Sequence, residues 1–307
     1  MWIFLAFLSA ALLGCYDVFK KQSLKENAVI PVLFINTLIC SLLFIPFICG
    51  SACGWIENGQ ALFVPQEHWT AHSYILLKSA IVLSSWLCGY FAIKHLPLTI
   101  VGPVNATRPV ITLLGALCIY GEHLNLWQWA GVSLTILSFY LLSHSSKKEG
   151  IRFFHNHWIF LLIAAAFLGA ASGLYDKFLM SPVSHGGLGL NRMFVQGWYN
   201  LYQAVMMAAI LLVLWFPKRK SSTPFRWRKE IVLISLFLTA ADMAYFYALS
   251  DPDALISVVS MVRRGSVIVS FLFGALLLRE KNLKAKAFDL LLVLLGMICL
   301  FVGTNKL

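Results

Sequence analysis

Arg108, Arg263, Arg264 and Asp242 lie inside runs of apolar residues long enough to cross a lipid bilayer. A charge in hydrocarbon costs ~2.5–3.5 kcal/mol or more, so such a residue usually faces a cavity or a partner. Arg108 comes about ten residues into its run and Arg263 about ten into another. At 1.5 Å per residue each is ~15 Å deep, near the middle of a ~30 Å core. A guanidinium in that position has two uses. Its planar fork can hold a carboxylate or phosphate through two parallel hydrogen bonds. Alternatively it can pair with Asp242, a helix end or a carbonyl and only hold the bundle together.

Polar side chains collect around these charges. Asn105 is three residues before Arg108 and Ser260 three before Arg263, so each shares its arginine's helical face. Gln196, Tyr199, Asn200 and Gln203 form a stripe at helical spacing, and Asn36 and Tyr245 lie in other apolar runs. A single amide in a membrane is usually interhelical glue, whereas a whole stripe can line a cavity. The expected binding set is Arg108, Arg263, Arg264, Asn105, Asn36, Gln196, Asn200 and Tyr245, with Asp242 as a coupling group or charge partner. Trp86 and Tyr90 read first as packing residues. Tyr16-Asp17 and Tyr175-Asp176, each closing a long apolar run, read as paired gates or as interfacial helix ends.

The elements that must position these residues repeat. Tyr90-Phe91, Pro97 and Arg108 recur as Tyr245-Phe246, Pro252 and Arg263 at one ungapped offset. Gly115-Ala116-Leu117 with Glu122 returns as Gly274-Ala275-Leu276 with Glu280. Ten apolar spans are expected, over about 2–19, 29–49, 73–94, 98–119, 125–143, 158–180, 193–216, 231–250, 254–278 and 287–303. The fold class is therefore an all-α membrane protein of ten transmembrane helices in two inverted five-helix repeats. The repeats are 1–144 and 157–307, with 145–156 as linker. An odd number of spans per copy forces the copies into opposite orientations, and in such folds the site lies between them near the midplane.

Composition agrees. The 307 residues are 60% hydrophobic and only 12% charged, against about 25% charged in soluble domains. The apolar runs lack the alternation of a β-barrel. Leu12-Leu13-Gly14-Cys15 resembles a lipoprotein cleavage site, but no Lys or Arg precedes the run as a signal peptide requires. The net charge of +11 encodes topology rather than nucleic-acid binding. Seventeen of the 24 Lys and Arg fall beside the odd-numbered loops, and four (Lys78, Lys177, Arg192, Lys306) fall to the opposite face. Basic loops stay cytoplasmic, so both termini are expected outside. The seven cysteines show no metal or cluster spacing, and no cofactor or metal is expected. No His-Glu-x-x-His helix, nucleophile triad or nucleotide-binding loop is present, which disfavours an enzyme or an ATP-driven pump.

Two five-span halves with Gly-Ala-Leu…Glu closing spans four and nine resemble the EamA branch of the drug/metabolite transporter superfamily. Ser257 to Arg264 is similar to the Lys-Arg stretch with which plastid phosphate translocators hold phosphate, Arg263 matching the Lys and Arg264 the Arg. The resemblance implies a secondary transporter, and the arginines point to a small polar, anionic metabolite moved by alternating access. Proton-coupled export of amino-acid-like solutes and flipping of a lipid carrier are the alternatives. Family members commonly have cytoplasmic termini, which the charge distribution here reverses. The expected partners are a small-molecule substrate, the lipid bilayer of a bacterial inner membrane and a second copy in a homodimer.

Overall fold

The computed structural model describes residues 2–108, 110–111, 125–147, 156–180, 183, 186–249, 262–263, 265–276 and 283–304. Among these residues the chain is all-helical. The helices are α1 (Trp2–Ser23), α2 (Val29–Ala52), α3 (Trp69–His95), α4 (Leu98–Ala106), α5 (Leu126–Lys147), α6 (His157–Met180), α7 (Arg192–Ile210), α8 (Glu230–Leu249), α9 (Ser266–Leu276) and α10 (Leu283–Thr304). A π-helical turn, Leu211–Trp215, extends α7. Helix is the form in which an apolar segment satisfies its own backbone without water. The starts are set locally: Asn156 accepts from the Trp158 N–H at 3.0 Å and Asn191 from the Met193 N–H at 2.8 Å.

Five segments are long and apolar enough to cross a bilayer by length and composition: Val29–Ala52, Trp69–His95, His157–Met180, Arg192–Trp215 and Glu230–Ala248. Large apolar side chains such as Phe4, Phe7, Leu42, Phe167 and Leu212 are exposed on the outside, as lipid contact requires. Cys49 and Cys53 are free thiols.

Contacts between sequence halves dominate the packing. α1 lies against α8 and α9, while α6 lies against α3 and α4. α2 meets α7 and α8, and α7 also meets α3. α4 meets α9, and α5 meets α10. Beside a small cluster of Val267, Phe271, Leu290 and Met297, two larger apolar clusters form the core among the described residues. One contains Tyr16, Tyr90, Ile93 and Leu238, the other Phe44, Phe194, Tyr199 and Tyr245.

The helix ends sort into two groups. At one end Lys21 donates to the Leu96 carbonyl at 2.6 Å, Asn27 to the Arg226 carbonyl at 2.7 Å and Arg228 to the Gln22 carbonyl at 3.3 Å. The loops 24–28 and 216–229, with their Lys and Arg, meet there, and His95 stacks on Trp158 with ring centroids 3.6 Å apart. At the other end Tyr175 donates to the Tyr74 carbonyl at 3.3 Å, and the Tyr202 hydroxyl bonds the His72 ring at 2.9 Å.

Two helices are interrupted beside the arginines. α4, which contains Pro103, ends at Ala106, and Thr107 forms a turn before Arg108. Gly265 forms a turn between Arg263 and the start of α9, its N–H donating to the Val262 carbonyl at 2.9 Å. Expected spans four and nine are thus broken rather than continuous where described. Prolines and glycines interrupt membrane helices where neighbours can satisfy the freed backbone groups.

Candidate binding cavity

A cavity of about 190 Å³ lies between the two apolar clusters, with Tyr16 and Tyr90 of one and Tyr199 and Tyr245 of the other in its wall. Seven charged residues line it: Asp17 and Lys20 of α1, Lys78 of α3, Arg108 beyond α4, Asp176 of α6, Asp242 of α8, and Arg263. Six of the seven form three pairs. Lys20 reaches Asp17 at 2.7 Å within α1. Lys78 pairs with Asp176, joining α3 to α6. Arg263 pairs with Asp242, which also accepts from the Tyr199 hydroxyl at 2.9 Å.

Aromatic faces support these cations. The Arg263 guanidinium sits 4.1 Å from the Tyr245 ring centroid, and the ammonium groups of Lys78 and Lys20 sit 4.9 Å from Tyr199 and 4.4 Å from Tyr16. The result is one connected chain of contacts: Asp176, Lys78, Tyr199, Asp242, Arg263, Tyr245.

Arg108 differs. Its terminal nitrogen donates to Asn105 Oδ1 at 3.1 Å, and no carboxylate reaches it among the described residues. Its Nε is buried without a hydrogen-bond partner there, as is the Nε of Arg263. The repeat explains the difference. The offset that relates Arg108 to Arg263 relates Leu87 to Asp242, so the first half has leucine where the second has its counter-ion. Gly169 of α6 makes room for Arg108: a Cβ there would stand 2.7 Å from its terminal nitrogen. Ser266 and Val267, the first residues of α9, also line the cavity. The partial positive charge of that helix start therefore adds to Arg108.

The structure brings Arg108, Asn105, Arg263, Asp242, Tyr245, Tyr16, Asp17 and Asp176 to one cavity. Tyr175 is not in its lining; its hydroxyl bonds the Tyr74 carbonyl instead. Asn36, Gln196 and Asn200 are likewise absent from the lining and are buried where α2, α7 and α8 pack. Helical spacing puts the amides on one face of α7, and that face meets a neighbouring helix. Arg264 and Ser260 lie outside the described residues.

Sequence reasoning passed over Lys78, which reads as an interfacial cation of the opposite face. It is instead 3% exposed, well inside an α3 that starts at Trp69 rather than at 73. A lysine about ten residues into a 27-residue apolar helix was the available signal. Trp86 and Tyr90, read first as packing residues, also form cavity wall.

Comparison with known proteins places this architecture. An uncharacterized transporter of Archaeoglobus fulgidus is 25% identical over 304 residues, covering 94% of this chain and 95% of that one. A crystal structure of a protein 15% identical in sequence superposes with a TM-score of 0.63, covering 98% of this chain and 97% of the other. The family whose pattern matches does so twice, over residues 1–144 and again over 156–302, which together span nearly the whole sequence. The chain is a membrane protein belonging to the EamA-like transporter family.

Proposed function

We propose that this chain is a secondary transporter that carries a small polar anion across a bacterial inner membrane by alternating access, with Arg108 as the anion's anchor. One observation carries the reading. Arg108 faces the cavity with an amide as its hydrogen-bond partner, no carboxylate reaching it among the described residues, and a buried Nε–H left over. An anion supplies what that guanidinium lacks. The cavity, partly open, holds about 190 Å³, which suits a small molecule.

Ten spans in two inverted repeats, 1–144 and 157–307 joined by 145–156, give the moving parts. The double family match supports that division. So does the packing pattern, which is nearly unchanged when the halves are exchanged: α1 on α8 corresponds to α6 on α3, and α2 on α8 to α7 on α3. Rocking one repeat against the other would expose the cavity to alternate sides. The Lys78–Asp176 pair ties α6 to α3 and serves as a gate on its side of the cavity. Asp17, held by Lys20 in its own helix, serves the other side.

The test is a thermal-shift screen of the purified protein against anionic, neutral and cationic metabolites. A ligand at 100 times its Kd stabilises by ~2.7 kcal/mol. Small carboxylates or phosphates should stabilise. Stabilisation confined to cations or neutral solutes would overturn the reading.

A further inference from the structure

The loop 217–229 between α7 and α8 takes no part in the cavity. It carries six cations and no carboxylate: Lys218, Arg219, Lys220, Arg226, Arg228 and Lys229. Orienting the chain in a membrane needs only such charges, on a backbone of any shape. This backbone is held. Asn27, 0% exposed, grips Arg226 from both sides: its Nδ2 donates to the Arg226 carbonyl at 2.7 Å, and its Oδ1 accepts from the Arg226 N–H at 2.8 Å. Arg228 donates to the Gln22 carbonyl at 3.3 Å, and Phe225 packs on the apolar cluster that contains Leu24 and Ile231. Lys94 of α3 donates to the Thr223 hydroxyl at 3.3 Å and brings a cation from the first half. The charges are set out on a seated loop, so a ligand need not order it on binding.

Depth identifies the ligand. Leu212, Val213 and Leu214, in the π-helical turn that extends α7, are 61%, 70% and 55% exposed and belong to the lipid-facing surface. Lys218 follows Leu214 by four residues, at most ~6 Å along a helix, so the cations begin where the hydrocarbon ends. Phe216 and Trp227 stand among them, 50% and 61% exposed. Aromatic rings beside Lys and Arg at the edge of an apolar belt suit the headgroup layer. Rings at that depth reach acyl carbons, which a soluble polyanion lacks.

Local carboxylates leave most of this charge over. Glu26 lies 3.5 Å from Arg226, and Glu230 follows in the first turn of α8. Lys218, Arg219, Lys220 and Lys229 are exposed, and no carboxylate pairs with them among the described residues. We infer that the loop is a binding site for anionic phospholipid of the surrounding bilayer. Headgroup phosphates meet these four cations, and the acyl chains below pack on Phe216 and Trp227. The site is separate from the anion cavity and stands whether or not Arg108 anchors a substrate.

The test uses the full chain in neutral detergent micelles. It is titrated with phosphatidylglycerol or phosphatidylcholine brominated in the acyl chains, and tryptophan fluorescence is read. The contribution of Trp227 is the part of the signal lost in Trp227→Phe. Phosphatidylglycerol should quench that part at a mole fraction at least ~tenfold lower than phosphatidylcholine. Each cation at an anionic surface is worth about fivefold in affinity, so changing Lys218, Lys220 and Lys229 together to Gln should erase most of the difference. Should the triple variant not fold, Lys218→Gln with Lys220→Gln serves. Equal quenching by the two lipids in the wild type, or a preference that survives neutralisation, would overturn the site. Glycerol phosphate, a phosphate without acyl chains, should not displace the lipid even at ~hundredfold excess. Displacement by it would hand the loop to a soluble phosphate and overturn the lipid assignment.

Discussion

Removing one member of the Arg263–Asp242 pair should cost far more than removing both. Their side chains are only 17% and 10% exposed. Breaking a buried pair from one side costs ~3–5 kcal/mol, because a charge is left behind without compensation. Arg263→Gln leaves Asp242 with the Tyr199 hydroxyl at 2.9 Å, which places the loss at the lower end, ~3 kcal/mol. Asp242→Asn leaves Arg263 with the face of Tyr245 at 4.1 Å. That contact recovers only ~0.5–2 kcal/mol, so the loss is similar. The double variant strands no charge and should lose only ~1 kcal/mol, giving an interaction energy of ~5 kcal/mol. The assay is reversible denaturant unfolding of the four proteins in mixed micelles. Losses that add within ~0.5 kcal/mol would refute the coupling of the two residues.

Other outcomes follow from the same geometry. Gly14→Ala should destabilise by ~1–3 kcal/mol in the same assay, because a Cβ there meets the Val269 side chain and stands 2.9 Å from the Ser266 carbonyl of α9. A reporter fused after Leu307 should be active outside the cytoplasm, as the basic loops demand; cytoplasmic activity would reverse the orientation. Asp176→Asn, which unties α3 from α6, and Asp17→Asn should bias cysteine accessibility toward opposite sides, and identical labelling in both variants would leave the aspartates as structural anchors.

Much of this was legible in the sequence for a physical reason. An apolar run in lipid has few choices but helix, so α2 begins where its run begins, at Val29. The shared offset pairs Arg108 with Arg263, and both line the same cavity. Tertiary partners were less accessible. Gln196, Asn200 and Gln203 announce a common face of α7, but periodicity does not say whether that face meets a cavity or α2. Asp176 has Lys177 beside it in sequence, yet its partner is Lys78, distant in sequence and brought in by the packing of α3 on α6. Tyr199 is legible as part of a stripe; its bond to Asp242 depends on how α7 and α8 meet. The break at Gly265 carries only a weak local signal, a glycine near the expected mid-span, whereas Pro103 and Pro109 bracket the one at Thr107.

The account stands on Arg108, and one comparison tests it most directly: stability and anion binding of Arg108→Gln beside the wild type. No carboxylate contacts Arg108 among the described residues, so removing it strands no charge there and leaves Asn105 Oδ1 without this donor. The empty variant should therefore unfold within ~1 kcal/mol of the wild type, or be more stable, since an uncompensated cation no longer has to be held out of water. The stabilisation that small anions confer on the wild type should disappear. A variant that loses several kcal/mol when empty, or one that is stabilised by the same anions to the same extent, would contradict the assignment of Arg108 as the anion's anchor.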